Sequence, residues 1–434
     1  MSTFAVSRYA LGIGAGAALL AACGGPQPPV AGLGALPLTR VASGSSYQML
    51  HTFSSFKTGA HPDASLIDVD GTLYGTTYGG GKECSGKSFC GTVYRMTKNG
   101  KVHVLYRFEG GSDGARPDSA LIDVNGTLYG TTLAGGSRCG FNVSCGTVYS
   151  VSKSGAEKVL YRFAGSSDGA HPRSALTNVN GTLYGTTEFG GAANCYCDVI
   201  SGCGTVYSIQ TSGAEHVLYK FKNASDGAYP VAGVTNVNGT LYGTTSVGGS
   251  TKGCYKQGCG IVYSLNTGGS EKVLYRFTGA PDGSGPAADL TDVGGTLYGT
   301  TVAGGTRNKG TAFSVSTSGV ETVLHNFGKG QDGTGPIGRL IYVKSKLYGI
   351  ASQGGSISIG GVCHADGCGT LYALSLQGSE QLLHVFTGNS DGCLPNSGLL
   401  DANDTLYGVT SFGGSGDRGC KLHLAAGTVF TAIP

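Results

Sequence analysis

The 434-residue chain has no Trp, three Met and few charges, with Asp, Glu, Lys and Arg together at 13% against about 25% in an average protein. The 29 Lys and Arg are interspersed with 26 Asp and Glu, for a net charge of +3. Nothing there forms the basic footprint of a nucleic-acid binder. No apolar run after residue 22 approaches the ~18 residues of a membrane-spanning helix. No segment shows a useful 3.6-residue period, which argues against helices, and the zinc-protease string H-E-x-x-H does not occur. What is abundant is glycine, at 79 residues without a G-X-Y period, so collagen is excluded. A hydrophobic share of 40%, with 23 Tyr and 15 Phe, is enough to build a core.

Residues 1–22 carry Arg8 and then the apolar stretch Tyr9–Ala22, which suits the h-region of a signal peptide. Leu20-Ala21-Ala22-Cys23 resembles a bacterial lipobox, which implies lipidation of Cys23 and cleavage before it. An ordinary A-x-A type cleavage site is the alternative. Residues 23–46 are rich in Pro, Gly and Ser and read as a flexible tether. The address is therefore the cell envelope, with a lipid anchor as the only membrane attachment.

The string L-Y-G recurs with Tyr at 74, 129, 184, 242, 298, 348 and 407, spaced by 50 to 59 residues. A period of this size signals a solenoid, propeller or array. In the second copy, Ala120–Asn125 is a short apolar run, Asn125-Gly126 a hairpin turn and Thr127–Thr132 a second strand. Thr147–Ser152 and Glu157–Phe163 follow as third and fourth strands. Four short antiparallel strands per repeat make a propeller blade. The last copy ends after three strands near 397–402, 405–410 and 428–433, while Tyr47–Phe53 matches the fourth-strand pattern. The expectation is an all-β, seven-bladed propeller over 47–434, closed by an N-terminal outer strand that leaves no free edge.

L-Y-G, then Gly-Gly, then V-Y resembles the kelch blade, without the Trp that kelch repeats carry. The longer unit G-T-L-Y-G-T-T-x-x-G-G…C-G-T-V-Y…G-x-E-x-V-L-Y-x-F-x-x-x-x-D-G is similar to the GloVer-type tandem repeat of bacterial envelope proteins, over nearly all of 47–434. The resemblance implies an exported, anchored propeller. It brings no established activity, cofactor or catalytic residues.

Fourteen Cys in an exported chain point to disulfides. Cys90, Cys145, Cys203, Cys259 and Cys368 each precede the third-strand Gly, and Cys84, Cys139, Cys197, Cys254 and Cys363 lie five or six residues upstream as partners. A metal site is the rival, but no C-x2-C spacing or recurring His supports it. Cys393 and Cys420 remain as a pair across two loops, and Cys195 has no evident partner.

The loop entering each blade carries Asp-Gly-x-x-Pro at Asp113, Asp168, Asp226, Asp282, Asp332 and Asp391; the first copy lacks the Asp. This reads as a turn device, with calcium ligation as the alternative. The residue before Pro varies as His61, Arg116, His171, Tyr229, Gly285, Gly335 and Leu394, and the residue after it as Asp63, Asp118, Arg173, Val231, Ala287, Ile337 and Asn396. If these loops ring the channel mouth, His61, Arg116, His171, Tyr229, Asp63, Asp118 and Arg173 form a one-sided polar rim, the candidate ligand site. The expected function is a monomeric binding module for a glycan, peptide or envelope protein. The alternative is an exported lyase or hydrolase acting on a polysaccharide through His61, Arg116, His171 and Asp118. His51, His325 and His384 replace the fourth-strand Tyr and read as aromatic packing.

Overall fold

A computed structural model describes residues 47–53, 58–84, 89–140, 143–191, 195, 200–222, 225–251, 253–254, 257–355, 367–414 and 427–434. The signal segment and tether, with Cys23, lie outside them. Every element among the described residues is a strand. Blade 1 is built from Ile67–Val69, Thr72–Thr77, Thr92–Met96 and Val102–Arg107, hydrogen-bonded in that order and antiparallel. Five more blades repeat this order, blade 5 with an added strand Gly283–Pro286 on its long second strand. A small extra ribbon, Arg138–Gly140 with Val143–Ser144, sits in the blade 2 loop.

Blade 7 takes Leu400–Asp401, Leu406–Thr410 and Thr428–Ala432 from the C-terminus and its fourth strand, Gln48–Thr52, from the N-terminus. Gln48 pairs with Thr431 and Thr52 with Thr428. The ring is thereby a closed seven-bladed propeller, as the split repeat requires.

The period-2 alternation of each strand puts large groups on both faces, and neighbouring blades cover both. At each junction a Phe ending one blade's fourth strand meets a third-strand ring of the next. Phe53–Tyr94, Phe108–Tyr149, Phe163–Tyr207, Phe221–Tyr263, Phe277–Phe313, Phe327–Tyr372 and Phe386–Phe430 lie with centroids 4.9–5.3 Å apart, mostly edge to face. This geometry adds about 0.5–1.5 kcal/mol per pair beyond the area buried. The ring also explains the L-Y-G glycine. Gly75 stands opposite Tyr94 in register, and a Cβ there would lie 2.6 Å from the Tyr94 hydroxyl. His51, His325 and His384 pack edge-on against Phe53, Phe327 and Phe386, in the place of Tyr.

Disulfides join Cys84 to Cys90, Cys139 to Cys145 and Cys254 to Cys259 within their loops. Cys203 bonds Cys195, not Cys197. That loop is longer than those of blades 1, 2 and 4, so their five- or six-residue spacing does not transfer and a separation of eight closes the ring. Cys197 lies outside the described residues. Cys368 and Cys393 are each disulfide-bonded; Cys363 and Cys420, their expected partners, also lie outside.

Candidate functional site

The Asp of the Asp-Gly-x-x-Pro loop is a cap. The Tyr106 hydroxyl donates to Asp113 Oδ1 at 2.8 Å and the Glu109 amide to Oδ2 at 2.7 Å, and Asp168, Asp226 and Asp282 repeat the pattern. His325 and His384 take the Tyr role for Asp332 and Asp391.

Three residues later, every residue before the Pro has a left-handed φ: +56° at His61, +59° at Arg116, +56° at His171 and Tyr229, +52° at Leu394, +67° at Gly285 and +59° at Gly335. For a non-Gly residue this conformation costs on the order of 1–2 kcal/mol. Hydrogen bonds to the preceding blade hold it there, Arg116 N donating to Cys90 O, His171 N to Cys145 O and Tyr229 N to Cys203 O, each at 2.8 Å. The same turn directs the side chain into the cleft between blades. His61 Nδ1 lies 3.0 Å from Ser411 O with its ring edge-on to Phe412, and His171 Nε2 lies 3.2 Å from Ser144 O beside Phe189. Arg116 covers the Tyr78 ring at 5.6 Å.

After the Pro the chain turns to the axis, where first strands of neighbouring blades meet; Thr235 Oγ1, for example, donates to Leu290 O at 2.6 Å. The residues that follow Pro therefore line a cavity of about 300 Å³ in the channel mouth, to which all seven blades contribute. Asp63, Asp118, Arg173 and Tyr229 are in its wall. His61, Arg116 and His171 are not. Tyr78 and Glu188, from the position following T-T in the second strand, complete the polar arc. That position varies from blade to blade, and its variation in the sequence is the signal that marks Tyr78 and Glu188.

Arg173 is clamped by two carboxylates: Nη2 and Nε lie 3.1 and 3.2 Å from Asp118 Oδ2, and Nη1 lies 3.4 Å from Glu188 Oε2. Burial works against its charge, but Asp118 and Glu188 more than offset this and hold the guanidinium above its ordinary range. Burial also raises Asp118 and Glu188, with Arg173 limiting the rise. Asp63, buried beside Asp118, is pushed up to about 7 despite a hydrogen bond from Ser411 and the charge of Arg173. Burial and then Arg173 lower His171 to about 4, so it is neutral at pH 7. Across the cavity, blades 4 to 6 present Val231, Val247, Val302 and Ile337. One arc is ionic and the opposite arc apolar.

Four glycine-rich strings share letters with catalytic motifs. Gly110–Gly114 (GGSDG), Gly165–Gly169 (GSSDG) and Gly388–Gly392 (GNSDG) match a nucleophile elbow and Gly81–Ser88 a P-loop. Both motifs need a strand-to-helix turn. Gly110–Gly114, Gly165–Gly169 and Gly388–Gly392 are instead capped inter-blade loops, and no helix occurs among the described residues.

The fold is similar to virginiamycin B lyase from Staphylococcus aureus at a TM-score of 0.56 and 12% identity, covering 90% of this chain and 100% of that one. A streptogramin B lyase structure matches at 0.55 and 14%, covering 91% and 99%. At such identities the likeness shows the fold alone. No curated protein matches the sequence. Residues 37–200 and 198–422 match the family described as the Gloeobacter/Verrucomicrobia repeat, one after the other. The chain, with its seven-bladed ring of L-Y-G repeats, belongs to that family.

Proposed function

We propose that this protein is a cell-envelope-anchored propeller that binds a glycan, peptide or envelope partner through its channel-mouth cavity and performs no chemistry. The observation that carries this reading is the cavity itself, concave and bipolar, held by residues from every blade. Small-molecule sites have this form, mostly apolar with a few placed polar groups. The wall among the described residues includes no His, Cys or Lys, and its one arginine in the ionic arc is committed to two carboxylates. One observation favours the second reading, a polysaccharide lyase or hydrolase: a carboxyl at about 7, Asp63, has the pKa of a general acid or base at neutral pH.

Screening the propeller against glycan, peptide and polysaccharide panels, with binding and product formation read together, separates the two. Binding without turnover supports the module; turnover lost in Asp63→Asn supports the enzyme. Ala287→Phe, which fills the cavity from the apolar side, is expected to weaken binding at least about 30-fold, equivalent to ~2 kcal/mol, with the unfolding midpoint unchanged. Full affinity in that variant would remove the cavity from the function. The anchor is tested apart: Cys23→Ala is expected to move the protein from the membrane to the soluble fraction with unaltered unfolding, and retention in the membrane would overturn it.

A further inference from the structure

Building on the binding reading, we infer that the cavity selects an organic cation, a primary ammonium carried on a compact apolar body. The first observation is a surplus of acceptors. Glu188, only 6% exposed, uses Oε2 on Arg173, and its Oε1 takes no hydrogen bond from any described residue. Asp118 likewise gives Oδ2 to Arg173, and no described residue donates to its Oδ1. Asp63 Oδ1 is sealed from solvent and has no hydrogen-bond partner among the described residues. Three carboxyl groups, from blades 1, 2 and 3, thus stand in one arc of the cavity wall, and the Arg173 contacts take up one oxygen each of Asp118 and Glu188. An ionised carboxylate only accepts, and a buried acceptor without a donor costs on the order of a lost hydrogen bond. An ammonium, with three donors and a compact charge, supplies what the arc lacks.

The charge balance points the same way. The cavity wall holds the carboxyls of Asp63, Asp118, Glu188 and Asp289 against the guanidinium groups of Arg173 and Arg339. Asp289 accepts from the Gly233 amide at 2.6 Å, and Arg339 donates to Thr291 Oγ1 at 3.3 Å. Arg116, the next cation, lies outside the wall on Tyr78. An anion entering here would meet net negative charge and an arginine already bridged on both sides. The second observation is the opposite arc. Val231, Val247, Val302 and Ile337 are each part-exposed toward the cavity and offer no hydrogen bond from their side chains. Burying an apolar group there is favourable at roughly 25 cal/mol per Å². The volume, about 300 Å³, is at the small end of ligand sites, which suits a branched aliphatic or single-ring amine.

The same chemistry is presented by a free amine and by a peptide N-terminus bearing an apolar first residue. Calorimetry on the intact protein with 2-phenylethylamine, its hydroxyl isostere 2-phenylethanol and the anion 3-phenylpropionate tests the class. Leu-Gly-Gly against N-acetyl-Leu-Gly-Gly tests the source. The amine is expected to bind at least tenfold tighter than the alcohol, with no binding of the anion, and to tighten as pH rises from 6 to 8 and Asp63 ionises. Glu188→Gln keeps an acceptor for Arg173 and is expected to weaken the amine tenfold or more while leaving the alcohol unchanged. Binding of Leu-Gly-Gly but not its acetylated form assigns peptide N-termini; rejection of both assigns a free amine. Equal binding of amine and alcohol, or an amine affinity indifferent to Glu188→Gln, overturns the inference. If no amine binds and a glycan or acetylated peptide binds instead, blocked by Ala287→Phe, the cation is refuted and the binding reading stands.

Discussion

A chain lacking residues 47–53 is expected to lose its cooperative unfolding transition and to aggregate at 37 °C. The segment supplies the fourth strand of blade 7, and without it Thr428–Ala432 becomes an exposed edge with unpaired donors and acceptors. The loss extends past the ladder. Phe53 is fully buried between blades 7 and 1, where it meets Tyr94 at 5.3 Å and its amide donates to Gly427 O. Tyr47 stacks on His384 with ring centroids 3.8 Å apart, and its hydroxyl donates to Asp391 O at 2.7 Å. Truncating a buried Phe alone costs about 3–5 kcal/mol, against a total stability of about 5–15 kcal/mol for a typical native protein. Circular dichroism melts and size-exclusion chromatography check the outcome. A truncated chain that melts with the parent's midpoint would show that the ring does not depend on this closure. Phe53→Ala, which keeps the strand, is expected to fold with a lowered midpoint.

The architecture is legible because each repeat writes the same strands, and because the missing strand at one end has its match at the other. The candidate site is legible only in part, for a physical reason. The positions before and after Pro both vary, and nothing in their letters tells them apart. The left-handed φ at His61, Arg116 and His171 sends those side chains between blades, while the residue after Pro faces the axis. Glu188 escapes notice because its partner, Arg173, comes from the preceding loop and meets it only once the blade is folded. Tyr229 reaches the cavity although it stands before a Pro, packed beside Phe189. The Glu of G-x-E-x-V-L-Y is conspicuous in the repeat, yet its role depends on the blade before it and cannot be seen within one unit.

That Glu makes the protein's stability depend on pH, with the unfolding midpoint expected to fall by about 5–10 °C between pH 5.5 and 8.5. Glu157 faces Tyr106 and Asp113 of the preceding blade, and the Tyr106 proton is already given to Asp113. An ionised Glu157 then meets a second carboxylate with one oxygen, Oε1, sealed away from any partner. A protonated Glu157 supplies the missing donor. Burial first, with the nearby Asp adding to it, raises Glu157, Glu215, Glu271, Glu321 and Glu380 to about 7. These groups have folded pKa values above that of the unfolded chain, near 4.3. Their contribution is therefore complete below that value and disappears as pH rises through 7. His51 and His171, lowered by burial, act in the opposite sense and withdraw stability as pH falls below about 6.5. The five Glu outnumber the two His, so stability is expected to keep rising as pH falls to about 5. Two junctions lack the device, since Val102 and Tyr47 stand where the others have Glu, six residues before Phe108 and Phe53. Replacing all five Glu by Gln leaves a neutral amide donor beside each Asp, and the midpoint is expected to become nearly flat from pH 6 to 8.5. A parent whose midpoint is constant over that range, or a quintuple variant that falls as steeply as the parent, would show that the Glu–Asp contacts carry no shared proton.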